Sequence, residues 1–234
     1  MSGKDPVLHR RLRFPGGIVD VLLVRNDARG ARALRRALRP RDRRRVERRR
    51  RSEDRRAALL GSALLRRALA LRGARPGPDA LLQRPARRPL HRTVDGRPLS
   101  LSVSHSPGWV AVAATGGPGR RVGVDVEDRG RPVDPRVARR LPGGTLPAAA
   151  RGLLGRWCAV EAALKADGRG LAALDRLRDA PGGRLRFTDR PGEPVLVRAI
   201  PRLPPGCVGA VAVGRRTLRS GRGPERGPDQ EPRR

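Results

Sequence analysis

The chain has 234 residues, which is enough for one large domain or two small ones. Its 54 Lys and Arg residues against 22 Asp and Glu give a formal net charge of +32, which indicates an anionic partner or the codon usage of a GC-rich genome. Aromatic residues make up 2% of the chain, tyrosine is absent, and no zinc-finger spacing or RNP-like motif occurs, so the sequence argues against nucleic-acid binding.

The cysteines and the N-terminal residues predict a soluble, cytoplasmic protein. Cys158 and Cys207 both lie in apolar segments, which suits a reducing compartment better than a disulfide scaffold. The first residues, MSGKDPVLHRRLRF, contain no apolar region of a signal peptide, and no apolar run approaches the length needed to cross a bilayer. We therefore expect no membrane partner.

Hydrophobic periodicity predicts helices mixed with short strands in both halves of the chain. In the first half it predicts a strand at 17–25, helices at 30–38 and about 42–71, a loop at 74–98, and strands at about 99–105, 109–114 and 122–127. In the second half it predicts helices at 133–141 and from Pro147 to near Gly168, strands at 184–188, 194–199 and 207–213, and a disordered tail after Arg215. Leu99, Leu101 and Val103 alternate with serines, which is typical of a half-buried strand.

The segment VGVDVED, residues 122–128, places two carboxylates on one side of an apolar strand. Because side chains alternate along a strand, the three valines share one face and Gly123, Asp125 and Glu127 share the other. Two carboxylates on one face suit Mg²⁺, which takes one or two carboxylates together with water and phosphate oxygens. The alternative is an edge strand with a solvated acidic face, and the segment alone does not decide between them.

Two further motifs carry polar groups. Trp157, Glu161 and Lys165 are four residues apart and therefore share one helix face. They form either an ordinary Glu–Lys helix pair beside a core tryptophan, or a third carboxylate and a cation for a phosphate site. Ser104-His105-Ser106 follows a strand and is either a turn or a set of phosphate and ribose contacts.

Taken together and in this order, the motifs LSVSHS, GVDVE and WCAVEAALKADGRGL resemble those of the surfactin-type 4'-phosphopantetheinyl transferases. The family pattern is a strand ending in SHS, a G-D-E strand with hydrophobic residues between, and W-x-x-K-E-A-x-x-K followed by G-x-G-L. The segment EDRRAALLGSALLRR also resembles an N-terminal helix of the family, and the resemblance covers roughly residues 40–213. It implies an α+β fold of two similar halves in a pseudo-twofold arrangement, with halves at 1–117 and 118–214 and a tail at 215–234.

The resemblance implies a holo-[acyl-carrier-protein] synthase, a Mg²⁺-dependent monomer that moves the phosphopantetheine of coenzyme A onto a carrier-protein serine. Adenosine 3',5'-bisphosphate would be released, and the carrier would be an acidic acyl, polyketide or peptidyl carrier of a pathway such as secondary metabolism. The implied metal ligands are Asp125, Glu127 and Glu161. Glu161 and Lys165 would be catalytic, and the implied coenzyme A contacts are Arg45, Arg88, Ser104, His105 and Lys165.

One residue departs from the family pattern. The family has lysine immediately before the glutamate of its helix motif, and this chain has Val160. Two alternatives to the transferase therefore stay open. One is an inactive homologue that binds coenzyme A or a carrier protein without turnover, and the other is an arginine-rich nucleic-acid-binding protein.

Overall fold

A computed structural model describes residues 5–48, 51–74, 90–94, 96–142, 152–189 and 194–215. Arg88, Pro147 and the predicted tail after Arg215 lie outside these residues. The fold is a mixed α+β structure with two antiparallel sheets, which confirms the predicted class. Within the described residues, no helix is both long and apolar enough to cross a membrane.

The first sheet has the strand order β1-β2-β5-β4-β3. Its strands are β1 (Leu8–Phe14), β2 (Gly17–Arg25), β3 (Leu90–Val94), β4 (Arg97–His105) and β5 (Trp109–Gly116). The helices of this half are α1 (Ala28–Arg35), α2 (Pro40–Glu47) and α3 (Ser52–Leu71). Two strands of this sheet, β1 and β3, were not predicted, and β3 falls inside the segment predicted as a loop.

The single helix predicted at about 42–71 is wrong, because α2 ends at Glu47 and α3 begins at Ser52. The run RRRVERRRR places like charges three and four residues apart, where they repel one another on a helix. Glu53 and Asp54 then lie in the first turn of α3, where carboxylates interact favourably with the helix dipole.

The second sheet has the strand order β6-β10-β9-β8-β7. Its strands are β6 (Arg120–Asp128), β7 (Leu177–Ala180), β8 (Arg184–Phe187), β9 (Val195–Ala199) and β10 (Cys207–Arg215). The helices are a single turn, α4 (Pro135–Ala138), which is shorter than predicted, and α5 (Leu153–Asp167), which ends at Gly168 in the left-handed conformation. A 3-10 turn at Leu171–Arg176 leads into β7, which was not predicted.

The elements stack in four layers, with α3 on one outer face, the two sheets in the middle and α5 on the other outer face. Strands of the inner layers are buried on both faces, which explains their continuous apolar sequences. In β2, for example, Leu22 and Val24 pack toward α3, whereas Val19, Val21 and Leu23 pack in the core between the sheets.

The serine face of β4 is buried, so the half-buried strand predicted there is a second error. Ser100, Ser102 and Ser104 point from the first sheet toward β6, the edge strand of the second. Their Oγ atoms accept hydrogen bonds of 2.9, 3.1 and 3.3 Å from the backbone N–H groups of β6. The serines thereby satisfy the edge of a strand that would otherwise leave donors unpaired in the interior.

Candidate active site

Five of the predicted site residues come together where β4, β6 and α5 meet. They are Ser104, Asp125, Glu127, Glu161 and Lys165. The predicted faces of β6 are confirmed, because its three valines lie in the core between the sheets and its two acids face α5. Both acids are buried, at 3% and 5% exposure, which excludes the solvated acidic face.

Gly123 allows α5 to lie directly on β6 beside these acids. A Cβ at this position would stand 1.9 Å from the carbonyl oxygen of Ala162 and 2.6 Å from the backbone nitrogen of Ala166. The helix backbone therefore occupies the space that any larger residue would need. This close contact brings Trp157, Glu161 and Lys165 within reach of the carboxylates on the strand.

Asp125 lies at the centre of the cluster. Its Oδ1 accepts hydrogen bonds from Lys165 Nζ at 2.6 Å and from Ser104 Oγ at 2.8 Å. Its Oδ2 is buried and has no hydrogen-bond partner in the described part of the chain. The pKa of the nearby Cys158 thiol is raised by burial and by the charges of Asp125 and Glu127.

Glu127 interacts with two groups that lie further along the chain. Arg131 Nη1 donates to both carboxylate oxygens at 2.6 Å, and Trp157 Nε1 donates to Oε1 at 3.3 Å. Burial raises the pKa of Glu127, and the guanidinium of Arg131 offsets only part of this effect. The negative charge of Asp125 raises the pKa further. The carboxylate is therefore held in an environment that disfavours its charged form.

Glu161 and Lys165 form an ion pair along α5, with 3.3 Å between Oε2 and Nζ. Burial raises the pKa of Glu161, Lys165 lowers it, and Asp125 and Glu127 raise it again, with a net increase. Burial alone would lower the pKa of Lys165, but Asp125 and Glu161 outweigh it and raise the pKa. The lysine therefore stays protonated between two carboxylates, and the carboxylate of Glu161 is more basic than usual.

The remaining predicted residues lie outside this cluster or outside the described residues. His105 ends β4 and is exposed beside Ser104. Arg45 is in α2, but its side chain is not among the described ones, and Arg88 lies in an undescribed segment. The sequence interpretation missed Arg131, because Glu127 lies near the end of a strand and Arg131 follows a turn, where a spacing of four residues predicts no contact.

Val160 contributes nothing to the polar cluster. Its side chain is 0% exposed and lies in the apolar core between α5 and the second sheet, together with Leu164 and Leu185. The position that carries lysine in the family motif is thus a core position in this chain.

The donor set suits a hard cation, although the carboxylates are engaged in ion pairs. Asp125, Glu127 and Glu161 supply oxygen ligands of the kind that Mg²⁺ prefers, and Oδ2 of Asp125 is buried without a hydrogen-bond partner among the described residues. Within the described residues, no three acidic, histidine or cysteine side chains are already placed around a metal position. Metal binding through Glu127 and Glu161 therefore requires their contacts with Arg131 and Lys165 to open.

Comparisons with models of known protein families and with curated proteins found no match for this chain.

Proposed function

We propose that the protein is a 4'-phosphopantetheinyl transferase that uses coenzyme A and Mg²⁺ to modify a serine of an acyl, polyketide or peptidyl carrier protein. The observation that carries the proposal is the convergence of Asp125, Glu127 and Glu161 with Lys165 at one point between β6 and α5. Asp125 and Glu127 belong to one motif, Glu161 and Lys165 lie at least 34 positions further along the chain in another, and both motifs resemble those of the family. The same proposal includes a pseudo-twofold arrangement of two similar halves and a protein that acts as a monomer.

The chemistry of the cluster suits phosphoryl transfer to a hydroxyl. The serine oxygen of the carrier forms a bond to phosphorus in the coenzyme A diphosphate, the bond to the bridging oxygen breaks, and adenosine 3',5'-bisphosphate leaves. Glu161 has a raised pKa and would take the serine proton. Lys165 would present a positive charge to the phosphate oxygens from a partly buried position.

Mg²⁺ held by Asp125, Glu127 and Glu161 would neutralise charge on the diphosphate. Ser104 lies inside the cluster, and its hydroxyl orients both Asp125 and Lys165. The resemblance gives Ser104 and His105, with Arg45 and Arg88, the contacts to coenzyme A. The excess of positive charge suits an acidic carrier, because complementary charges accelerate encounter and make it dependent on salt.

The burial of Val160 weakens the argument for an inactive homologue. That argument rests on the absence of a motif lysine, yet this position is fully buried and lies in the apolar core. The polar groups of the cluster are present without it. We therefore prefer the active transferase.

The direct test is the intact mass of apo carrier proteins of all three types after incubation with the protein, coenzyme A and Mg²⁺. We expect a gain of one phosphopantetheine group. Asp125→Asn and Glu161→Gln should abolish it. Asp175→Asn is the matched control, since this carboxylate is 64% exposed and pairs with Arg140 outside the cluster, and it should keep full activity.

Two results would contradict the proposal. If the folded protein binds coenzyme A but modifies none of the carriers, it is an inactive homologue. If it does not bind coenzyme A and instead binds DNA of any sequence with a steep dependence on salt, the nucleic-acid alternative is correct.

A further inference from the structure

A second candidate site lies at the opposite end of β6 from the acidic cluster. There a pocket of about 440 Å³ opens between the β1–β2 turn of the first sheet and the strands of the second. Its apolar wall includes Phe14, Leu196 and Val213. Its charged residues are Arg120, Arg184 and Arg215, and no acidic residue lines it among those described. We call it the arginine pocket.

Arg120 is 4% exposed, yet most of its N–H donors have no partner among the described residues. Nη1 donates to the carbonyl oxygen of Pro15 at 3.2 Å. Nε and Nη2 are buried without a hydrogen-bond partner among the described residues. A guanidinium has five N–H donors and keeps its charge, so burial in this state is costly unless an acceptor is supplied.

The charges near Arg120 are positive, so they repel its guanidinium group instead of neutralising its charge. Burial lowers its pKa, and the positive charges of Arg215 and Arg72 lower it further. Arg120 and Arg215 are direct partners in the register of β6 and β10, where like charges on neighbouring strands destabilise a sheet. Their guanidinium nitrogens also lie 3.0 and 3.2 Å from one point, the position a Cβ would take on Gly16.

Other arginines with little exposure in this protein are treated differently. Arg72 pairs with Asp20 at 2.7 Å, and the guanidinium of Arg169 pairs with Asp189 at 2.6 Å. The fold therefore supplies carboxylates to arginines elsewhere. Arg120 and Arg215 face each other, Arg184 lines the same pocket, and no carboxylate among the described residues lines it. This arrangement suits a ligand that brings its own negative charge.

We propose that the arginine pocket binds a phosphate group, either as inorganic phosphate or as the end of a small phosphate ester. Guanidinium groups match the spacing of phosphate oxygens, and several of them around one anion remove the repulsion among themselves. The volume exceeds that of a bare phosphate and falls in the range of small-molecule sites. The apolar wall gives an ester's organic part a surface to contact.

The proposal is independent of the transferase function. Side chains alternate along β6, so Arg120 points into the space between the sheets, whereas Arg121, Asp125 and Glu127 face α5. The arginine pocket thus differs from the acidic cluster in location, in charge and in the strand face that forms it.

The test is the Tm of the full chain at constant ionic strength, with inorganic phosphate or phenyl phosphate replacing chloride. We expect a saturable rise of about 3–6 °C at roughly ten times Kd. A larger rise with phenyl phosphate identifies an ester as the ligand, and equal rises identify inorganic phosphate. A Tm that follows ionic strength alone, with no saturable effect of either anion, overturns the proposal.

Three variants make the test specific. Arg120→Met should fold with a higher Tm in chloride, since it removes an uncompensated charge, and should no longer respond to phosphate. Arg215→Gln changes an exposed residue and should raise the phosphate concentration needed for half of the Tm increase at least threefold. Arg121→Met, one position along the same strand but on the other face, should keep the full response. If Arg120→Met keeps it too, the anion binds elsewhere and the proposal is wrong.

Glu193 precedes Pro194 of the pocket wall in sequence and lies outside the described residues. Glu193→Gln therefore tests whether the chain supplies its own anion. A phosphate response that appears only in this variant, and not in the natural sequence, would show that the carboxylate is the occupant and would overturn the proposal.

Discussion

Ser102→Ala tests the contact that joins the two sheets. Ser102 Oγ accepts a hydrogen bond of 3.1 Å from the backbone N–H of Val124, and both residues are buried. Alanine keeps the strand intact but leaves this N–H without an acceptor, which costs about 1–3 kcal/mol of the free energy of unfolding. For a chain of this size the loss corresponds to a fall in Tm of roughly 2–12 °C.

Ser106→Ala is the matched control for this prediction. Ser106 is also buried, at 3% exposure, but its Oγ has no hydrogen-bond partner among the described residues. Its replacement removes an unpaired hydroxyl and should leave stability unchanged or slightly higher. The assay is urea unfolding followed by circular dichroism for both variants. Equal destabilisation of the two would refute the reasoning, because the cost would then follow serine burial and not the hydrogen bond to β6.

Three further predictions concern β6 and α5. Gly123→Ala should destabilise the protein by about 1–3 kcal/mol or more in thermal unfolding, since the added Cβ would overlap the backbone of α5; an unchanged Tm would mean that the helix is free to shift. Glu127→Gln should raise Tm at pH 8 in the presence of a chelator but not at pH 4. The pKa of Glu127 is raised in the folded protein. The stability that its protonated form contributes is therefore present below the pKa of the unfolded chain and is lost as pH rises through the native pKa. A rise in Tm of equal size at both pH values would contradict this. Val160→Lys, which restores the family motif, should lower Tm and leave transferase activity no higher, because the position is fully buried; a gain in activity would favour a direct role for that lysine.

Much of the architecture around the site could be predicted from periodicity. The alternation in VGVDVED placed the valines and the acids on opposite faces of a strand, and the spacing of Trp157, Glu161 and Lys165 placed them on one helix face, as the structure has them. Both results follow from local geometry, in which two or four residues of spacing decide the direction of a side chain.

The errors arose where distant parts of the chain decide the outcome. The serines of β4 indicated a solvated face, but a polar side chain is also suitable in the interior when it receives a backbone N–H, and only the tertiary structure shows that β6 supplies it. The same holds for β3, whose pairing with β4 lies in a segment with the composition of a loop. The arginine pocket had no sequence signal of its own, since Arg120 is one of 54 basic residues.

The three hydrogen bonds from β6 to the serine hydroxyls of β4 affect whether the second half of the chain can fold as a separate fragment. Three buried N–H groups of the second sheet depend on side chains of the first, so a fragment that starts at β6 would carry an unprotected strand edge. Such a fragment would pair with copies of itself and aggregate, although α4, α5 and all five strands of the second sheet are encoded within it. The two sheets should therefore unfold in one cooperative transition, and the first sheet protects the edge of the second from self-association.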